Sequence, residues 1–163
     1  MMEKAGSAAL VIECPPEDYA ALAEPLRTAL EAAAREYHAC FPAAPPPVVT
    51  SARRTLRRQA ALMAAMTDAE LEGMYCRHGR PSYIDELEAA RPLDEEKAYG
   101  ILLNRREGYI SKHLYGLAVD VAAATVAEPE TLKEMLSRRG CAVLDESEMG
   151  RPCLHITRPD CKT

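Results

Sequence analysis

The sequence predicts an α+β domain, a small and mainly antiparallel sheet with helices packed on it. Three observations carry that expectation. Short apolar, partly β-branched runs recur along the chain, helical apolar spacing fills the longer segments between them, and the last two runs are joined by a polar turn instead of a crossover helix. With 163 residues the chain is long enough for one domain with a proper core, so a single domain over 1–163 is expected. Its parts are an N-terminal strand, helix and Pro-rich linker over 1–47 and a core over 48–163 that carries a helical insertion at 67–108.

The elements follow in order. Ala8 to Cys14 is an apolar run stopped by Pro15-Pro16 and reads as a short strand. From Glu17 to Phe41 apolar residues recur at helical spacing (Leu22, Leu26, Leu30), with acidic residues early and Pro25 as a kink or restart. Pro42 to Pro47 is an extended, proline-rich linker that delivers the chain to the strand Val48 to Ser51. A helix over Thr55 to Met66 places Leu56, Ala60, Met63 and Met66 on one stripe, the methionines as core. Three short helices are expected in the insertion, over Asp68 to Met74, Ser82 to Ala90 and Glu95 to Asn104, punctuated by Gly79, Pro81, Pro92 and Gly108. Leu117 to Val121 is a buried strand. Pro129 to Arg139 is the clearest helix, with proline in its first turn, Arg138 and Arg139 in its last and Gly140 just past the end. The strands Cys141 to Asp145 and Cys153 to Thr157 complete the domain.

Composition excludes several function classes. The formal net charge of -5 argues against a nucleic-acid partner, which needs a clustered basic surface, and the group Arg53, Arg54, Arg57 and Arg58 splits between helix faces. No apolar run approaches transmembrane length, and the stretch from Met1 to Cys14 is too short and too interrupted for a secretory leader. A cytoplasmic location is therefore expected for the chain as written. The 6 cysteines show no CxxC pair, so reduced thiols are the default.

The chemistry concentrates in Ser111-Lys112-His113-Leu114-Tyr115-Gly116-Leu117-Ala118-Val119-Asp120. An imidazole and a carboxylate stand seven positions apart across a glycine, with the carboxylate at the end of a strand. Zn2+ takes such ligands, and a catalytic site uses three of them with one position left open. A third ligand would come from His38, His78 or His155. His38 sits on an Ala-rich helix and reads as a partly exposed helical residue. His78, in Tyr75-Cys76-Arg77-His78-Gly79-Arg80, reads as a loop residue of the insertion that touches substrate. His155 lies in a strand whose alternation puts Cys153 and His155 on one face and Leu154 and Ile156 on the other, so it can close a triad with His113 and Asp120.

These residues resemble a known family. Ser111-x-His113-x-x-Gly116-x-Ala118-x-Asp120 matches, at every motif position, the SxHxxGxAxD pattern of the zinc D,D-carboxypeptidases and L-alanyl-D-glutamate endopeptidases, whose fold is shared by the hedgehog signalling domain. Val49-Thr50-Ser51-Ala52-Arg53-Arg54 is similar to the family's upstream VTSGYR segment, with Ala52 and Arg53 departing from it. Leu154-His155-Ile156 is similar to the strand that carries the last ligand. The resemblance implies a hedgehog/D,D-peptidase-like fold and Zn2+ held by His113, Asp120 and His155. It also implies Arg54 on a substrate carboxylate or developing oxyanion, Ser111 orienting the ligand loop, and Gly116 allowing the tight turn between two ligands.

One departure bears on catalysis. The family places its general base three residues before the last His, and here that position is Pro152. Asp145, Glu146 and Glu148 lie just upstream; Glu148, nearest to His155, is the expected base, with Glu146 next. Cys153 stands where some relatives carry a second His, either as a thiolate on the metal or as a buried free thiol beside it. The expected activity is zinc-dependent cleavage of D-amino-acid-containing peptides derived from bacterial peptidoglycan; the alternative is an inactive zinc-binding module of the same fold. A cell-wall substrate and a cytoplasmic chain are reconciled if the protein is released, as phage-type lytic enzymes are.

Overall fold

The computed structural model describes residues 9–106 and 109–159, without the side chains of residues 148 and 149. Ala8, the expected start of the first strand, and Gly108, the expected end of the insertion, lie outside the described residues. Two compact units form, Met1–Arg53 together with Tyr115–Thr163, and Arg54–Leu114.

The first unit is built on a five-stranded mixed sheet: β1 (Val11–Ile12), β2 (Val48–Ser51), β3 (Ala118–Ala122), β4 (Ala142–Asp145) and β5 (Cys153–Thr157), in the order β1-β2-β3-β5-β4. Only β1 and β2 run parallel, and the other pairings are antiparallel. The parallel pair needs a long crossover. That crossover is α1 (Pro16–Ala20) and α2 (Glu24–Cys40), so the expected helix from Glu17 to Phe41 is two helices. The restart belongs to Pro25, which sits in the first turn of α2, where a missing N–H costs nothing.

Between the helices the chain is tied down by the Ala23 N–H donating to the Gly116 carbonyl at 2.9 Å. α2 buries Leu26, Leu30, Ala33 and Tyr37, and α7 (Pro129–Ser137) buries Leu132, Met135 and Leu136. These side chains share one core with Val49, Val119, Val121, Leu154 and Ile156 from the strands. Every core position on β5 is at an even residue number, which fixes the register of that strand. Leu154 is fully buried, and Leu154→Ala should cost about 2–5 kcal/mol of stability, read as a lower urea midpoint at unchanged slope.

The second unit is helical: α3 (Leu56–Ala64), α4 (Asp68–Tyr75), α5 (Ser82–Ala89) and α6 (Glu95–Leu103). It takes in α3 and the Ser111 to Leu114 stretch as well as the expected insertion 67–108. Three of these four helices start on capping side chains, Thr55 for α3, Thr67 with Glu70 in a reciprocal capping box for α4, and Asp94 for α6. Met63 and Met66 are core residues, packed with Leu71, Tyr83, Ile84, Leu87 and Leu102. Among the described residues no helix is long and apolar enough to cross a membrane.

Candidate metal centre

The pairing of β3 with β5 sets Asp120 directly opposite His155. Because Leu154 and Ile156 are drawn into the core, pleating turns Cys153 and His155 to the other face, where both are half-buried. His155 Nδ1 lies 3.0 Å from Asp120 Oδ1, and the Asp120 side chain is buried. Two ligands of one tetrahedral Zn2+, each bonded at about 2.0–2.2 Å, are separated by about 3.3 Å. The observed spacing is within a few tenths of an ångström of that, so the pair fits the ion with a small adjustment.

The turn after β4 brings a second carboxylate to the same place. Asp145 accepts the Ser147 N–H at 3.0 Å and opens a 3-10 turn, Glu146–Met149. Gly150, at φ +81°, closes it, and the Arg151 N–H donates back to the Glu146 carbonyl at 3.1 Å. Asp145 is thereby occupied as a cap, and the hydrogen bonds from Ser147 hold its carboxyl below the usual range. Glu146 instead points inward. Only 5% of it is exposed; Oε1 accepts the Cys153 thiol at 3.2 Å, Oε2 is 4.0 Å from His155 Nδ1, and Arg151 Nε is 3.8 Å from Oε1. The expected base Glu148 lies in this turn, but its side chain is outside the described residues.

Cys153 is the fourth member of the cluster. Burial, the nearby Asp120 carboxylate and the hydrogen bond to Glu146 push its thiol well above the ordinary cysteine range, so it is an S–H donor at neutral pH. One ligand atom from each of Asp120, Glu146 and Cys153 can be chosen so that all lie within 4.8 Å of one another. The Arg151 guanidinium supplies positive charge beside Glu146, and a divalent cation would supply more between the two buried carboxylates.

The helical unit positions the remaining residues singled out in the sequence. The Arg54 N–H donates to the His113 carbonyl at 2.8 Å, and the His113 N–H donates to Ser111 Oγ at 3.2 Å. This holds the 3-10 turn that carries the buried His113 against the start of α3. Arg54 Nη1 donates to Gln59 Oε1 at 2.7 Å, and Gln59 Nε2 donates to the Tyr75 hydroxyl at 2.8 Å. Gln59 is completely buried. His78 is exposed, at a turn closed by Gly79, which adopts φ +126°.

Gln59 was not singled out by sequence reasoning. The signal was there, since it lies three residues after Leu56 and four before Met63 and so falls on the apolar stripe of α3, where a polar residue needs a partner. Asp18 was missed as well. It is buried at the start of α1, its carboxylate 3.5 Å from Arg53, and nothing in its acidic, helix-opening surroundings marks it as inward-facing.

Fold and site together define an α+β protein whose sheet carries a largely buried cluster of side chains that could hold a metal ion. No protein-family model, no curated protein and no solved structure matches the chain.

Proposed function

We propose that this protein is a zinc-dependent peptidase of the D,D-carboxypeptidase and L-alanyl-D-glutamate endopeptidase type, with the hedgehog/D,D-peptidase-like fold, acting on D-amino-acid-containing peptides of peptidoglycan. The observation that carries the reading is Asp120 facing His155 across β3 and β5 at 3.0 Å, at the end of the SxHxxGxAxD stretch. His113, Asp120 and His155 offer the donor types that Zn2+ takes and would be its ligands in this reading. When bound, that ion would polarise the scissile carbonyl and make water a better nucleophile.

The rest of the chemistry belongs to the chain. Glu146 is the general base: its buried carboxylate stands 4.0 Å from His155, takes a proton from the attacking water and returns it to the leaving amine as the C–N bond breaks. Its position in the turn after β4 substitutes for the family's usual acid, which Pro152 replaces. The Cys153 thiol holds Oε1 and leaves Oε2 for the proton. Arg54 binds the substrate carboxylate through its guanidinium, held by Gln59. Gln59→Leu should raise KM about tenfold with kcat little changed, because it loosens one charged hydrogen bond made equally in ground and transition states. Steady-state kinetics on a peptide ending in D-Ala-D-Ala would show it.

The test is zinc content and turnover measured together. Wild-type protein should hold zinc and cleave either D-Ala-D-Ala peptides or muropeptides at the L-Ala-D-Glu bond, and His155→Ala should lose the tightly held ion and the activity. Stoichiometric zinc with every such substrate left intact would instead favour a zinc-bearing binding module.

A further inference from the structure

We propose that Asp120, Glu146 and Cys153 form a second cation site, selective for thiophilic divalent ions such as Zn2+ and Cd2+, whose filling removes Glu146 from service as a base. The inhibitory part rests on the peptidase reading; the site itself rests only on geometry within the sheet unit.

The three side chains come from separate places in that unit: Asp120 from β3, Glu146 from the turn after β4, Cys153 from β5. One ligand atom of each can be placed so that all lie within 4.8 Å of one another, and Cys153 Sγ is already 3.2 Å from Glu146 Oε1. Zinc–sulfur and zinc–oxygen bonds of about 2.3 and 2.0–2.2 Å place such ligands about 3.6 Å apart, so a small opening of the cluster admits an ion. Asp120 and Glu146 are both buried and Cys153 half-buried, so none has to be gathered from solvent. Thiolate with two carboxylates selects Zn2+ or Cd2+ over Mg2+ or Ca2+, which prefer oxygen alone.

Asp120 joins this site to the one that also uses His155. A carboxylate has two oxygens and can give one to each of two ions, which in bridged pairs lie about 3.5–4 Å apart. Binding of the second ion expels the Cys153 thiol proton to solvent and turns Glu146 from proton acceptor into ligand. Excess zinc is thus an inhibitor, and the cysteine at 153 confers that sensitivity.

The experiment is titration of metal-free protein with Cd2+ and with Zn2+, comparing wild type with Cys153→Ser and His113→Ala. Thiolate-to-cadmium absorption in the ultraviolet reports the sulfur ligand, and equilibrium dialysis counts the ions. Wild type should take up two ions per chain, Cys153→Ser one with no Cys153-dependent absorption, and His113→Ala should keep the absorption. Cys153→Ala, checked for unchanged thermal unfolding, guards against a serine that ligates by itself. Equal ion counts in wild type and both Cys153 variants, with equal absorption, overturn the second site and leave the peptidase reading intact. A Cys153-dependent band in a protein that cleaves no D-amino-acid peptide sinks the peptidase reading and leaves the site standing. With activity in hand, inhibition by zinc beyond one equivalent should be present in wild type and reduced at least tenfold in sensitivity in whichever Cys153 variant still turns over.

Discussion

On the proposed peptidase mechanism, Glu146→Gln should retain zinc and lose about 10²–10⁴-fold in kcat, the range that a positioned general base supplies. The amide keeps the shape of the side chain and can still accept from Cys153, so the 3-10 turn survives. What disappears is the ability to take a proton at Oε2, 4.0 Å from His155. The same change at Glu148 should leave kcat within about threefold if Glu146 is the base, because a base must stand within hydrogen-bond reach of the proton it removes. Metal analysis and turnover on both variants separate the two acids, and a large loss confined to Glu148→Gln would move the role there. Zinc lost along with activity in Glu146→Gln would mark Glu146 as a ligand of the first ion.

Gly116→Ala should strongly destabilise the sheet unit. Gly116 adopts φ +70°, and a Cβ there would sit 2.5 Å from the Ala21 carbonyl oxygen, which is backbone and cannot swing aside. The left-handed conformation alone costs about 1–2 kcal/mol for an alanine. Displacing the Ala21 to Ala23 link, and with it the Ala23 hydrogen bond to the Gly116 carbonyl, brings the total to about 2–4 kcal/mol. For a chain of this size that is a fall in melting temperature of roughly 5–15 °C. If Asp120, four residues on, holds zinc as proposed, affinity for the ion should weaken in parallel, and calorimetry with and without zinc would register both effects. The motif therefore has a packing reason for its glycine besides the turn, the close approach of the chain between α1 and α2.

Much of this was legible in the amino-acid order. β5 was read to the residue, and the burial of Leu154 and Ile156 against the half-exposed Cys153 and His155 follows from alternation alone. The helices at 68, 82, 95 and 129 start where their caps and prolines place them. The single long helix from Glu17 failed because periodicity persists across Pro25, whereas the backbone there must restart. Asp145 and Glu146 could not be told apart by distance along the chain, since the first is spent as the cap of a 3-10 turn and the second, about 120° further round, is drawn inward.

The sequence by itself determined the local elements, the acidic composition, and the donor side chains at 113, 120 and 155, because periodicity, capping and donor chemistry are properties of nearby residues. Tertiary structure decided which strand faces which and therefore that Asp120 meets His155. It also decided that Asp145 is consumed as a cap while Glu146 is buried against Cys153, and that Gln59 accepts a hydrogen bond from Arg54. The physical reason is that strand pairing and desolvation are fixed by the whole core at once. A carboxylate becomes a candidate base or ligand only when residues distant in sequence take away its water.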